Sequence, residues 1–194
     1  MPFDLILQNV SKYIQLNEQE KIVFFSHLQL KKVKRKALIL KEGEVCRYSA
    51  FVTAGCLRGY TFDKNGDWHV LDFAPPDWWI ADMYSLITQK PGTVNIEALE
   101  DSEIILLSKT SQEELYLEVP KFERFFRILT EKSLVANQQR IIDNMSLTAE
   151  ERYNIFCKRY PTLIDTLPQK QIASYIGVTP EFFSRMRSGL LKRM

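Results

Sequence analysis

The sequence has few of the residues that build metal sites or catalytic nucleophiles. Its 194 residues include only two histidines, His27 and His69, and three scattered cysteines, Cys46, Cys56 and Cys157. It contains no H-x-H or C-x-x-C pair, no glycine-rich phosphate loop and no G-x-S-x-G motif. A metal-dependent jelly-roll enzyme would need several histidines and a carboxylate that converge on one ion. We therefore expect a protein that is not an enzyme, with no metal and with cysteines that are small buried thiols.

The sequence also lacks a long hydrophobic run. No stretch of about 18 apolar residues is present that could form a membrane span. Asp4 falls where a secretory signal would carry basic residues before an apolar segment. The hydrophobic content of 45% is that of a globular protein with a sizeable core. We expect a cytoplasmic protein with no membrane partner.

Charge is small overall and unevenly distributed. The chain has a formal net charge of +2, but residues 151–194 contain eight Lys or Arg against three Asp or Glu. The first 150 residues contain 18 basic against 21 acidic side chains. This asymmetry predicts that the C-terminal segment, rather than the body of the protein, meets a polyanion.

Hydrophobic periodicity divides the chain into a helical start, a β-rich middle and a helical end. Asn17 and Glu20 have the spacing of a capping box at a helix start. From about residue 28 to 108, short runs rich in Val, Ile, Phe, Tyr and Trp alternate with Gly, Pro and Asn-Gly signals, which predicts an antiparallel jelly roll. Asn65 and Gly66 predict a hairpin with a type I′ turn, in which both residues have positive φ.

A long helix is predicted after the strands. Apolar residues recur at helical spacing from Phe122 to Met145, over about 25 residues. Such a helix either pairs with its copy in a homodimer or folds back as a core helix. Thr148 and Glu151 then form a second capping box, where a further domain begins. The predicted domains are 1–118, 119–146 and 147–194.

The segment "QIASYIGVTPEFFSRMR" has the spacing of a helix-turn-helix. Ala173 is small where the two helices cross, and Gly177 supplies the left-handed conformation that ends the first helix. Thr179 is placed to cap the second helix, and Pro180 stands in its first turn, where a missing N–H costs nothing. Glu181 follows at the positive end of the helix dipole.

The outward face of this second helix is predicted to read double-stranded DNA. Base contacts are expected from Thr179, Glu181, Ser184 and Arg185, and phosphate contacts from Lys170, Arg187 and Lys192. The alternative is that the C-terminal helices form a docking surface, so that the chain is a cytoplasmic ligand-sensing module that regulates a protein partner. Binding that weakens steeply with salt would separate a DNA reader from such a module.

This order of segments and this motif resemble the Crp/Fnr superfamily of bacterial transcription regulators, over nearly the whole chain. The resemblance implies an α+β fold with an N-terminal antiparallel β-roll (jelly roll) effector domain and flanking helices, a long dimerisation helix and a C-terminal, all-α helix-turn-helix domain. It also implies a homodimer on DNA, with RNA polymerase as a further partner. Glu181 and Arg185 match the family's base-reading residues, whereas Pro180 departs from the arginine that often stands there.

The same resemblance identifies candidate ligand residues in the β-roll, namely Ala81, Asp82, Thr93 and Val94. In members that bind cyclic nucleotides, a Gly-Glu pair holds the ribose and an Arg-Ser/Thr pair holds the cyclic phosphate. Ala81 and Asp82 match the first pair and Thr93 matches the last residue, but the arginine position falls on Gly92. We therefore expect that cyclic AMP is not used in the usual way and that no cofactor is needed. The effector is either another small molecule or none at all.

Overall fold

The computed structural model describes residues 2–191, with Leu191 described by its backbone only. The first part of the chain carries two helices, a set of strands with one short helix among them, and a helix after the last strand. These elements are α1 (Asp4–Ser11), α2 (Glu18–Ser26), β1 (Leu28–Val33), β2 (Leu38–Leu40), β3 (Tyr48–Ala54), β4 (Leu57–Phe62), β5 (Trp68–Ala74), β6 (Trp79–Ile80), α3 (Met83–Thr88), β7 (Asn95–Ala98), β8 (Ser102–Ser108) and α4 (Lys109–Glu118). Four helices follow: α5 (Lys121–Ser146), α6 (Ala149–Arg159), α7 (Gln169–Ile176) and α8 (Pro180–Leu191).

The strands form two four-stranded antiparallel sheets, in the orders β1-β8-β3-β6 and β2-β7-β4-β5. Strand β8 is central in the first sheet, and its residues Ile104–Leu107 are buried against the apolar positions of β3. A core of buried aliphatic side chains that includes Val52, Leu57, Ile96 and Ile104 draws on strands of both sheets. The α+β fold with an antiparallel β-roll and C-terminal helices is therefore confirmed.

The hairpin predicted at Asn65 and Gly66 is present between β4 and β5, but the prediction of a type I′ turn is wrong. Gly66 has a φ of 83°, whereas Asn65 is not among the residues with positive φ. The loop has five residues, and the Asp63 carboxylate accepts hydrogen bonds from the backbone N of Asn65 at 2.8 Å and of Asp67 at 3.0 Å. An aspartate that binds its own turn in this way organises a longer loop, which requires positive φ only at the glycine.

The described chain divides into two compact units. The first comprises residues up to 61 together with 72–132, and the second comprises 62–71 together with the chain from 133 onward. The tip of the β4–β5 hairpin thus belongs to the unit that holds the C-terminal helices. The three predicted domain ranges stay a prediction.

A cluster of aromatic side chains forms part of the core of the first unit. Phe24 of α2 packs against Phe122 of α5 with ring centroids 4.5 Å apart, and Phe125 lies next to Phe122 at 6.0 Å. Phe24, Phe122 and Phe125 are fully buried, so the first turns of α5 belong to a core. The core-helix alternative is therefore confirmed for this part of α5. The predicted capping box of Asn17 and Glu20 is also confirmed at the start of α2.

The second unit has its own core, built around α6, α7 and α8. Thr148 and Glu151 form the predicted capping box at the start of α6. Gly177 ends α7 with a φ of 73°, and the Thr179 hydroxyl accepts a hydrogen bond from the backbone N of Phe182 at 3.2 Å. Pro180 is the first residue of α8, where its lack of an N–H leaves no bond unmade. These features confirm the helix-turn-helix that the sequence predicted.

None of the helices within residues 2–191 combines the length and the apolar character that a bilayer-crossing helix needs.

Replacing Phe183 by Ala should strongly destabilise the second unit. Phe183 is fully buried, and its ring lies 5.2 Å from that of Tyr153. Loss of a buried phenyl group costs about 3–5 kcal/mol through lost burial and the cavity left behind. The neighbouring Phe182 is 45% exposed, so Phe182→Ala is the matched control and should cost less than about 1 kcal/mol. Urea unfolding followed by circular dichroism measures both, and equal losses would contradict the orientation of α8.

Candidate functional site

Helix α8 is amphipathic, with a buried side and an exposed side. Phe183 packs into the core, while Glu181, Ser184, Arg185 and Ser188 are exposed. These exposed residues lie three or four positions apart, so they share one face of the helix. The N-terminal part of α8 therefore presents polar and charged side chains to the surface, at the end of the helix that inserts into the major groove in helix-turn-helix proteins.

The residues predicted to read bases are brought together by this geometry. Glu181, Ser184 and Arg185 line one open surface groove with Pro180. The carboxylate of Glu181 can accept a hydrogen bond from the amino group of cytosine, and the guanidinium of Arg185 can donate two to guanine. Thr179 is exposed at the helix start, but its hydroxyl already serves as the cap.

The residues predicted to contact phosphates differ in how exposed their side chains are. Lys170 is exposed on α7, with its Nζ 5.4 Å from the centroid of the Trp68 ring, at a distance typical of a cation–π contact. Arg187 is half-buried, and its charge acts on Tyr153, whose pKa is nevertheless raised, mainly by burial. Lys192 lies outside the described residues.

Two residues that the sequence did not single out hold the hairpin tip on the helix-turn-helix. The hydroxyl of Ser174 in α7 accepts from Val70 N at 2.9 Å and donates to Trp68 O at 3.1 Å. One amino nitrogen of Arg140 in α5 donates to Val70 O at 2.9 Å and to Tyr175 O at 3.1 Å. No sequence pattern signals these bonds, because they join residues from 35 to 106 positions apart.

In the first unit, Asp82 is buried, with 4% of its surface exposed. It is the N-cap of α3, and its Oδ1 accepts a hydrogen bond from Ser85 N at 3.1 Å. Its Oδ2 has no hydrogen-bond donor in the described part of the chain. The same Ser85 accepts from Cys46 N at 2.8 Å and donates to Lys90 O at 2.6 Å. One carboxylate oxygen is thus used to start a helix, and the other is left for a further contact.

Gly92 lies directly against Asp82. A Cβ atom at position 92 would overlap the Oδ2 of Asp82, and it would lie 3.0 Å from the Cβ of Ser85. The backbone cannot easily withdraw, because Gly92 donates to Glu44 O at 3.1 Å and accepts from Gly43 N at 2.9 Å. The position that the resemblance assigns to a phosphate-binding arginine therefore has no room for a side chain beside this carboxylate.

The other predicted ligand residues are only partly gathered around this point. Ala81 and Val94 are partly buried and pack against the aliphatic core between the sheets, whereas Thr93 is exposed. The structure thus brings Asp82 and Gly92 into close contact. The role of Ala81, Asp82, Thr93 and Val94 in ligand binding stays a prediction.

An ion pair on the second sheet was also missed by sequence reasoning. The side chains of Arg58 and Glu97 are only 14% and 15% exposed, and they pair at 2.8 Å. Arg58 also lies 4.4 Å from the ring centroid of Tyr60. The pKa of the Tyr60 hydroxyl is raised, chiefly by burial and next by the charge of Glu97. The cross-strand register Arg58↔Glu97 brings this pair together, and register is not readable from the sequence.

The thiols resemble structural rather than reactive cysteines. Cys46 and Cys56 are buried, and burial raises the pKa of Cys56 to about 12. Cys157 is half-buried, and its pKa is also raised, mainly by desolvation. Such thiols are poor nucleophiles and poor metal ligands at neutral pH. Within residues 2–191, no group of three or more His, Cys, Asp or Glu side chains is placed to hold a metal ion.

Comparison with known proteins agrees with this architecture. Residues 30–118 match the cyclic nucleotide-binding domain family. FixK2 from Bradyrhizobium japonicum is 21% identical, with a TM-score of 0.74, 86% of this chain covered and 85% of that one. The c-di-GMP responsive global regulator CLP of Xanthomonas campestris is 12% identical, with a TM-score of 0.73 and coverages of 91% and 93%. A Crp/Fnr-family protein from Eubacterium rectale is 17% identical, with a TM-score of 0.70 and coverages of 91% and 85%.

The sequence has no match among the curated proteins. At identities below 25%, the solved structures establish the fold rather than the ligand or the operator. Residues 30–118 are therefore similar to the cyclic nucleotide-binding domain family, and the chain has the fold of the Crp/Fnr transcriptional regulators.

Proposed function

We propose that the protein is a sequence-specific DNA-binding transcriptional regulator that acts as a homodimer and has no enzymatic activity. The observation that carries this proposal is the exposed face of α8. Glu181, Ser184 and Arg185 stand on it in one groove, while Phe183 fixes the opposite side in the core. A glutamate and an arginine one turn apart can each read a base edge in the major groove.

Charge and symmetry support the same proposal. The segment 151–194 has five more basic than acidic residues, which favours contact with the phosphate backbone. In a two-fold symmetric dimer, two α8 helices would enter successive major grooves about 34 Å apart, on a roughly palindromic site. Lys170, Arg187 and Lys192 are the proposed phosphate contacts, and RNA polymerase stays a predicted further partner.

The dimer is proposed to form along the exposed part of α5. Leu134, Val135, Ile141, Ile142 and Met145 are 46–83% exposed, although all five are apolar. Leu134, Ile141 and Met145 are seven and four residues apart, the spacing of one stripe along a helix. Contiguous exposed apolar side chains of this kind mark an interaction surface, and a parallel copy of the same helix would bury them.

The β-roll is proposed to act as a sensor domain that does not use cyclic AMP in the usual way. In place of an arginine, Gly92 lies against the buried side chain of Asp82, so this position offers no cationic group for a cyclic phosphate. The effector is either a different small molecule or none.

The DNA proposal is tested by selecting random duplex DNA with the purified protein at two salt concentrations. Arg185→Ala should cost about 1–3 kcal/mol on the selected site and relax one base position per half-site. Lys170→Ala, the control for a phosphate contact, should weaken selected and scrambled DNA alike. Binding should fall with a log–log salt slope of roughly −0.9 per neutralised phosphate.

The same selection, repeated with two added nucleotides, tests which effector the β-roll uses. Cyclic AMP should leave the enriched motif and its affinity unchanged, and cyclic di-GMP, named for the Xanthomonas campestris relative, is the second nucleotide to add. A two-fold symmetric motif that relaxes at one position per half-site in Arg185→Ala supports the proposal. Equal effects of both substitutions on all sequences would contradict the base-reading role. No motif under any condition, with salt-independent capture of a protein partner, would favour the docking module.

The dimer is tested by placing a carboxylate on the α5 stripe. Ile141 is 62% exposed in one chain, so Ile141→Glu should fold. It should weaken the dimer by at least about 3 kcal/mol, roughly 100-fold in dissociation constant, because two carboxylates per dimer lose their hydration. Ile141→Met keeps the position apolar and should cost less than about 1.5 kcal/mol. Sedimentation velocity measures both, and a dimer indifferent to Ile141→Glu would exclude this interface.

The close approach of Gly92 to Asp82 is tested by adding a methyl group. Gly92→Ala should lower the free energy of unfolding by about 1–3 kcal/mol, since the Cβ overlaps the carboxylate. Gly59→Ala is the control, because its Cβ would meet only Ile80 and Val94 at 3.6 and 3.8 Å. It should be neutral or stabilising by up to about 1 kcal/mol.

The double variant Asp82→Ala/Gly92→Ala completes the cycle. Its loss in free energy of unfolding should be smaller than the sum of the two single losses, because the overlapping carboxylate is gone. Strict additivity in denaturant unfolding would mean that Gly92 is small for another reason.

A further inference from the structure

A cavity of about 140 Å³ lies in the second unit, lined by the last turns of α5 together with α6 and α7. We refer to it as the hinge pocket. Three arginines line it, Arg140 from α5 and Arg152 and Arg159 from α6. One carboxylate, Asp143, shares the lining, and its Oδ1 accepts a hydrogen bond from Gln139 at 2.8 Å. The hinge pocket thus gathers three guanidinium groups against one carboxylate.

Two arginines of the hinge pocket, Arg140 and Arg152, each carry a buried nitrogen with no hydrogen-bond acceptor among the described residues. Arg152 donates to the backbone O of Asn144 at 3.1 Å, and its Nε is buried without an acceptor among the described residues. The Nε of Arg140 is likewise buried without an acceptor there. Neither Arg140 nor Arg152 pairs with a carboxylate in the part of the chain that the structure describes. The two guanidinium groups therefore bring positive charge to the hinge pocket that no paired carboxylate offsets, and a bound anion would offset it.

One wall of the hinge pocket is held rigidly. The guanidinium of Arg140 lies 4.2 Å from the ring centroid of Tyr175 and donates to the backbone oxygens of Val70, Leu71 and Tyr175. These contacts fix the position of the guanidinium group. A positive charge that is fixed in advance binds an anion without the entropic cost of ordering a flexible side chain.

The size and lining of the hinge pocket define the class of ligand. A cavity of about 150 Å³ accommodates one benzene, so about 140 Å³ leaves room for roughly six non-hydrogen atoms. Guanidinium groups match phosphate and carboxylate oxygens through paired, charge-assisted hydrogen bonds. Ala136, Ile155 and Ile176 add an apolar wall that suits a small methyl or methylene group.

We propose that the hinge pocket binds a compact anion, either inorganic phosphate or a short carboxylate, with Arg152 as the main contact. Arg140 and Arg159 complete the positive surround. Because α5, α6 and α7 all contribute to the hinge pocket, the bound anion stabilises the second unit against unfolding. This site goes beyond the proposed function and does not depend on it, since neither DNA nor a second chain supplies any of its residues.

The test is calorimetric titration of the full chain, without DNA, with inorganic phosphate and with pyruvate as probes. Sodium chloride at matched ionic strength controls for screening. Arg152→Gln removes the charge and keeps much of the side-chain length. Lys158→Gln is the matched control, because Lys158 lies on the same helix, is exposed and does not line the hinge pocket. Arg159→Gln is the second variant, and thermal melts confirm that each variant folds.

The expected result is saturable binding of at least one probe, about tenfold weaker or more in Arg152→Gln or Arg159→Gln, the change for one lost charge-assisted hydrogen bond. Lys158→Gln should bind within about twofold of the unaltered chain. Preference for phosphate or for pyruvate tells which anion the hinge pocket fits. No saturable binding of either probe would overturn the proposal, and so would equal weakening by Arg152→Gln and Lys158→Gln. Failure of DNA binding would leave this result untouched.

Discussion

The packing of aromatic rings around Phe156 is the interaction on which the second unit depends. Its ring lies 5.4 Å from Tyr160 and 5.4 Å from Tyr175, while Tyr153 lies 5.2 Å from Phe183. These contacts join α6, α7 and α8, which are short helices that would be marginal in isolation. Because Phe183 must point into this cluster, Glu181 and Arg185 must point out. A small core therefore determines which side of α8 is available for recognition.

A second constraint acts in the β-roll, where Asp82 takes a structural part. One of its oxygens caps α3, and the other occupies the space beside Gly92. A capping carboxylate and a phosphate-binding arginine cannot both use this space unless the loop moves. The glycine that the resemblance places at the arginine position is thus matched by its surroundings, which leave no room for a side chain there.

Much of the fold could be predicted from the sequence because its signals are local. The capping boxes of Asn17 and Thr148 and the turn at Gly177 each depend on residues within three or four positions, and all three are confirmed. The prediction of a type I′ turn was wrong, although its signal is also local, because the Asp63 side chain competes for the backbone N–H groups of the loop. The order of segments resembled the Crp/Fnr superfamily, whose fold the structure shows.

The sequence by itself determined where the helices begin and end, that the middle is a β-roll, and that α8 has one apolar and one polar side. Only the tertiary structure decided which distant groups meet: Arg58 with Glu97, Ser174 with the hairpin tip, and the arginines of the hinge pocket. Helix caps and periodicity act over one or two turns, so they are written in adjacent residues. Strand register and helix packing bring together residues tens of positions apart, and burial then sets how strongly their charges interact.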